Sequence, residues 1–181
     1  MPVSIASAPR PSLPSGDEES SRRPALSRRR GSEGVATFLL MFVGTGVIVV
    51  AALHEGTISH TGIAATWAVT VTLLICALGR VSGPHMNPAV TLAFAVTRRC
   101  PRADVVPYWL AQAAGAIAAS VVLRLLFGNV ALLGATLPAG SEAQSFGLEV
   151  ALTFLLLFVV VAVSSDARLR LVAPVLIGAT V

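Results

Sequence analysis

The segment Arg80-Val81-Ser82-Gly83-Pro84-His85-Met86-Asn87-Pro88-Ala89-Val90-Thr91-Leu92-Ala93-Phe94-Ala95-Val96 decides how this chain folds. From Pro88 to Thr97 it is apolar and compatible with a helix, but ten residues rise only about 15 Å. That is half of a hydrocarbon core of about 30 Å. Asn87 is a favoured N-cap residue, and Pro88 suits the first helical position, where its missing N–H costs nothing. Before the cap, Gly83 and Pro84 must be extended and non-helical, so their carbonyls have no helical partner.

Outward from this segment lie runs long enough to cross a bilayer, which needs about 20 predominantly apolar residues. Four qualify: Val35–Leu53, Thr61–Gly79, Val105–Phe127 and Phe146–Ser164. A fifth begins near Leu171 and has run for eleven residues, about 16 Å, at Val181. The bulk numbers agree: 55% of residues are hydrophobic, 12% are charged, and mean hydropathy is +0.80, whereas a soluble domain carries roughly 25% charged residues. All 13 basic residues are Arg. They lie between apolar runs rather than along one face, which favours membrane orientation over a nucleic-acid partner.

The arginines set that orientation. They precede span 1, follow span 2 at Arg80, precede span 3 at Arg98, Arg99 and Arg102, and follow span 4 at Arg168 and Arg170. The loops His54–His60 and Gly128–Ser145 contain no Lys or Arg; Arg124, near the other end of span 3, can snorkel to the interface. By the positive-inside rule the N-terminus is expected in the cytoplasm. Arg80 and Arg98-Arg99 then share one side, and the Asn87 segment becomes a half-helix that enters and leaves on that side. Such backbone is tolerated only where protein buries it or a wet cavity borders it. The competing reading is an ordinary loop in which Asn-Pro marks a turn. Residues 1–32, rich in Pro, Ser and Arg, read as a disordered cytoplasmic tail.

The half-helix places carbonyl acceptors, the Asn87 amide donor and the positive end of a helix dipole at mid-membrane. This combination suits a neutral solute that both donates and accepts hydrogen bonds, and it opposes cations. Enzymatic chemistry has no support: His54, His60 and His85 are scattered, without a nucleophile–base pair or metal spacing. Cys76 and Cys100 form no ligand cluster and have a packing role, and no cofactor or metal is called for.

An internal repeat adds a second argument. Glu33-Gly-Val-Ala-Thr37-Phe38-Leu39-Leu40-Met41-Phe42-Val43 and Glu149-Val-Ala-Leu-Thr153-Phe154-Leu155-Leu156-Leu157-Phe158-Val159 share the pattern E-x-x-x-T-F-L-L-x-F-V, offset by 116 residues. Three spans separate their starts, so the copies face opposite ways, as in inverted-repeat transport proteins. The domain from 33 to 181 thus divides into a first repeat, 33–127, and a partial second one, 146–181. A counterpart of Asn87 is expected about 116 residues on, beyond Val181, and residues 1–181 alone are not expected to conduct. Glu33 and Glu149 read either as interfacial carboxylates near helix N-termini or as inward-facing groups that hold the carbonyls of a re-entrant loop.

Ser82-Gly83-Pro84-His85-Met86-Asn87-Pro88-Ala89-Val90-Thr91 resembles the first signature of the major intrinsic proteins, the aquaporin and aquaglyceroporin family, S-G-x-H-x-N-P-A-V-T. Agreement extends through Glu33, Thr37, Tyr108, Gln112, Gly115, Glu149, Thr153, Ala173-Pro174 and Ile177-Gly178. The resemblance implies an all-α inverted-repeat bundle of six spans, of which about four and a half are present, in a multi-pass protein of the plasma or inner membrane. It also implies one pore per protomer and a homotetramer at full length. Asn87, Pro88 and Ala89 would form the pore motif, with the carbonyls of Gly83, Pro84 and His85 as an acceptor ladder. Trp67 would be the span-2 member of the outer selectivity constriction, where Trp resembles the glycerol-conducting and plant nodulin-like branches. The other reading of Trp67 is an interfacial belt residue. The expected function is a passive channel for glycerol-like polyols or metalloid hydroxides, with water. The alternatives are a strict water channel or a non-conducting truncated product.

Overall fold

The computed structural model describes residues 24–55 and 57–181, and every regular element among them is helical. In chain order these are α1 (Leu26–Leu53), α2 (His60–Leu78), α3 (Pro88–Val96), α4 (Arg102–Phe127), α5 (Glu142–Ser165) and α6 (Ala173–Gly178). Short helical turns lie at Ala131–Gly134 and Ala167–Leu169. Four of the helices, α1, α2, α4 and α5, are long and apolar enough to cross a membrane. The chain is an all-α, multi-pass membrane protein, as its composition requires.

Helix α1 is the centre of the bundle, packed against α4 on one side and α2 on the other. The α1–α4 crossing is tight because glycine forms it: a Cβ on Gly115 would lie 2.3 Å from the Gly34 carbonyl and 3.0 Å from the Phe38 amide nitrogen. A similar crossing joins α2 to α6, where a Cβ on Gly178 would meet Thr72 Oγ1 at 2.2 Å and the Ala68 carbonyl at 2.4 Å. The Thr72 hydroxyl, bonded to the Ala68 carbonyl in its own helix at 2.8 Å, also lies 3.2 Å from the Pro174 carbonyl. Small residues allow this approach, and packing then supplies the attraction that a hydrophobic effect cannot supply within lipid. Large apolar side chains such as Leu125 and Phe154 face outward, as helices solvated by hydrocarbon require.

The span boundaries agree with the sequence to within a few residues at α2, α4 and α5, but α1 starts earlier. It begins at Leu26, so the last seven residues of the expected tail, 26–32, are helical. Three interactions account for this. The Arg29 guanidinium forms an ion pair with Asp104 on the first turn of α4, and its Nε donates to the Pro24 carbonyl at 3.0 Å. Ser32 is buried and shares a hydrogen bond with the Ser82 hydroxyl at 3.0 Å. Residues 1–23 of that tail lie outside the described residues.

The nine-residue α3 rises about 14 Å and is re-entrant. The segment after α2 returns to α1 through Ser82. At the other end of α3, Arg99 donates to the Val161 carbonyl and the Ser165 hydroxyl near the end of α5. The starts of α1 and α4 and the ends of α2, α3 and α5 thus share one arginine-rich face. Helix α3 stops in a left-handed cap: Arg98, at φ 60°, lets the Arg98 and Arg99 amides donate to the Ala95 and Phe94 carbonyls at 3.2 and 2.7 Å. Glycine is usual at such a position.

Candidate functional site

Asn87 caps α3 with its side-chain oxygen, which accepts from the Ala89 amide at 2.8 Å and the Val90 amide at 3.4 Å. Two backbone donors on one side identify that atom as oxygen, since an amide nitrogen there would face N–H groups. The Asn87 NH2 group consequently points away from the helix end and has no acceptor among the described residues. Its hydrogens are available to a ligand.

The loop ahead of the cap is held from α1. Glu33 is fully buried, about 10 Å along α1 from Leu26. One carboxylate oxygen accepts from the His85 amide at 2.9 Å, and the other from the Met86 amide at 3.0 Å. Gln112 on α4 donates to that second oxygen at 2.9 Å. Three N–H donors thus surround one carboxylate, the arrangement that makes a buried acid tolerable. Because the bracket binds the loop by its amides, the carbonyls on the same stretch are left over. Those of Gly83, Pro84 and His85 accept no hydrogen bond among the described residues.

Thr91 ties the half-helix to the bracket. Its hydroxyl donates to the Asn87 carbonyl at 3.0 Å and accepts from Gln112 Nε2 at 3.1 Å. His85 Nδ1 lies 3.1 Å from the same oxygen. With the hydroxyl proton directed at the Asn87 carbonyl, this contact is satisfied by the Nδ1–H tautomer of His85. The ring also packs against Phe94 and Tyr108, with centroids 4.9 and 5.2 Å away. Trp109 closes the other flank by donating to the Pro88 carbonyl at 3.1 Å.

A cavity of about 1080 Å³ runs past this assembly, bordered by Gly83, Pro84, His85 and Asn87 on one side and by Trp67 with apolar residues of α1 and α2 on the other. The indole of Trp67 lies against Gly44, where a Cβ would sit 2.5 Å from two ring carbons. Its side chain is half-buried in contact with the core around Leu40, Val71 and Met86. Arg80, Arg99 and Arg170 border the cavity at the arginine-rich face.

The structure therefore brings Glu33, Gly83, Pro84, His85, Asn87, Pro88 and Trp67 to one site. Ala89 takes part through its amide, which donates to the cap. Glu149 stands apart, exposed on α5. Thr91 and the Arg29–Asp104 pair carry no periodic signal, and their partners are 21 and 75 residues away in sequence. Gln112 stood out in the sequence only through the family pattern.

The described residues thus form a polytopic helix bundle with a re-entrant half-helix capped beside a polar-and-apolar cavity. Residues 20–181 match the family described as Major intrinsic protein, and the chain belongs to that family, one of channels rather than enzymes. It is 47% identical over 152 residues to aquaporin NIP1-4 of Oryza sativa subsp. japonica, covering 83% of this chain and 55% of the relative. It is 43% identical over 145 residues to aquaporin NIP2-1 of Zea mays, covering 80% and 49%. Nodulin-26 of Glycine max is 44% identical over 138 residues, covering 76% and 51%. The chain spans about half the length of these relatives.

Proposed function

We propose that this chain supplies one half of a passive conduit for small neutral solutes, glycerol-like polyols or metalloid hydroxides together with water. The observation that carries the reading is the division of labour at Asn87. Its oxygen is occupied by the helix cap while its NH2 is free, next to three unengaged carbonyls bordering the same cavity. A hydroxyl-bearing solute can then accept from Asn87 and donate to the carbonyls. Its carbon backbone would slide along the Trp67 indole, a broad apolar face. A cation would meet the positive end of α3 and be repelled.

In this reading Trp67 narrows the outer side of the conduit and Glu33 supports the inner loop. Glu149 does the same for a second half-helix, and the N-terminus is cytoplasmic in a plasma or inner membrane. The channel assembles as a homotetramer. Similarity to proteins named aquaporin and nodulin-26 supports a channel for water and small solutes.

Stopped-flow light scattering on proteoliposomes tests this. The samples are residues 1–181 and the same chain continued by the second half of a relative. The continued chain should take up glycerol and water, Asn87→Asp should abolish both, and Trp67→Phe should lower glycerol more than water. Residues 1–181 alone should be silent. Glycerol uptake by the continued chain that survives Asn87→Asp would refute the assignment of Asn87.

A further inference from the structure

A second concavity lies on the α1–α4 pair, away from the conduit, and shares no bordering residue with it. It is a groove of about 490 Å³ with Ser27 and Arg30 at one end and Phe38 at the other. Its floor is backbone, because Gly34 and Gly115 meet there without side chains. Ser27 and Phe38 are eleven residues apart on α1, about 16 Å along the axis. That is the depth of one leaflet of a hydrocarbon core of about 30 Å. The groove thus begins at the arginine-rich face and ends near mid-membrane.

Among the described residues the charges at its mouth are unbalanced. Arg29 is committed to Asp104, whereas Arg30 is exposed and has no hydrogen bond or ion pair among the described residues. The first turn of α1 carries no acidic residue, and Arg28 beside it is also exposed. An apolar slot one leaflet deep, with an uncompensated guanidinium and a hydroxyl at its polar end, matches a phospholipid bearing net negative charge. A zwitterionic headgroup would bring its own ammonium to the same arginines.

We propose that this groove binds one acyl chain of an anionic phospholipid, whose phosphate is held by Arg30 and the Ser27 hydroxyl. The inference requires only that the chain sits in a bilayer, so it stands or falls separately from solute conduction. Gly31 provides a probe: it borders the groove, and a Cβ placed there meets nothing within 4 Å, so a side chain has open space to enter.

The test is native mass spectrometry of residues 1–181 released from nanodiscs containing equal phosphatidylglycerol and phosphatidylcholine. The wild-type chain should retain one phosphatidylglycerol under activation that strips phosphatidylcholine. Arg30→Gln should lower that occupancy about fivefold, the loss expected for one basic residue at an anionic surface, and Arg30→Lys should restore most of it. Gly31→Leu should reduce retention to background with helix content unchanged by circular dichroism, and Arg124→Gln at the far end of α4 should leave it intact. Equal retention of the two lipids, wild-type retention by Gly31→Leu, or a second protein copy in place of the lipid would each overturn the proposal.

Discussion

Replacing Glu33 by Gln removes one of the two oxygens that bracket the loop before α3. The surviving oxygen can take the position that serves Met86 and Gln112, at 3.0 and 2.9 Å in the native protein. The new NH2 group then faces the His85 amide, which loses its 2.9 Å bond and meets a donor instead. An orphaned buried N–H costs about 1–3 kcal/mol, and two bonds that pass from a charged to a neutral acceptor lose about 1 kcal/mol each. The loop should be weakened by about 3–5 kcal/mol, and at 1.4 kcal/mol per tenfold its opening should become at least a hundredfold more frequent. Hydrogen–deuterium exchange in nanodiscs, followed on a peptide spanning Ser82 to Asn87, reads this opening directly. Peptides from the far ends of α1 and α4 should exchange as in the wild type, which separates local opening from global unfolding. Glu33→Ala should exceed Glu33→Gln, since it strands all three donors. Exchange of the loop within threefold of wild type in both variants would refute the bracket.

Two further perturbations test the packing around the site. Gly44→Ala sets a methyl where the indole of Trp67 now lies, 2.5 Å from two of its carbons. In a Trp109→Phe background it should shift Trp67 emission and cost about 1–3 kcal/mol through overpacking, and an unchanged spectrum and thermal midpoint would contradict the contact. Asp104→Asn leaves the part-buried Arg29 without its counter-charge and should lower stability by about 1–3 kcal/mol, the loss of charge-assisted hydrogen bonds. Thermal unfolding in detergent measures this, and a double-mutant cycle with Arg29→Met should return most of the loss as coupling between the two sites; additive effects would exclude the ion pair.

The parts of the fold that were legible in sequence follow from length and local chemistry. Spans could be counted because lipid demands apolar runs of fixed length, and the α3 start was marked by Asn87-Pro88 because capping is decided within three residues. The start of α1 was not legible. Arg28-Arg29-Arg30 reads as solvated tail until Asp104, 75 residues from Arg29, is known to lie beside it. The Thr91 hub was hidden for the same reason: its donors come from loop and helix positions that share no period, and only the close α1–α4 crossing at Gly34 and Gly115 brings Gln112 within reach. The inward reading of Glu33 rested on the cost of a carboxylate at membrane depth, an argument about energy rather than pattern. At Glu149 the same argument meets an exposed side chain on which no loop is docked among the described residues.

The hydrogen bonds of Ser32 and Glu33 have a mechanical consequence. Within one helical turn, α1 holds Ser82, His85 and Met86, while Arg29 just before grips the first turn of α4. The half-helix is joined by backbone to α2, but it is docked on α1. A peptide bond cut between Gly79 and Val81 would sever the covalent link and leave the docking intact. Conversely, a piston-like shift of α1 by one residue would carry Asn87 with it, although neither belongs to the other's stretch of chain. The element that sets the position of the donor is therefore a lever anchored at the arginine-rich face, with its fulcrum at the glycine crossing with α4.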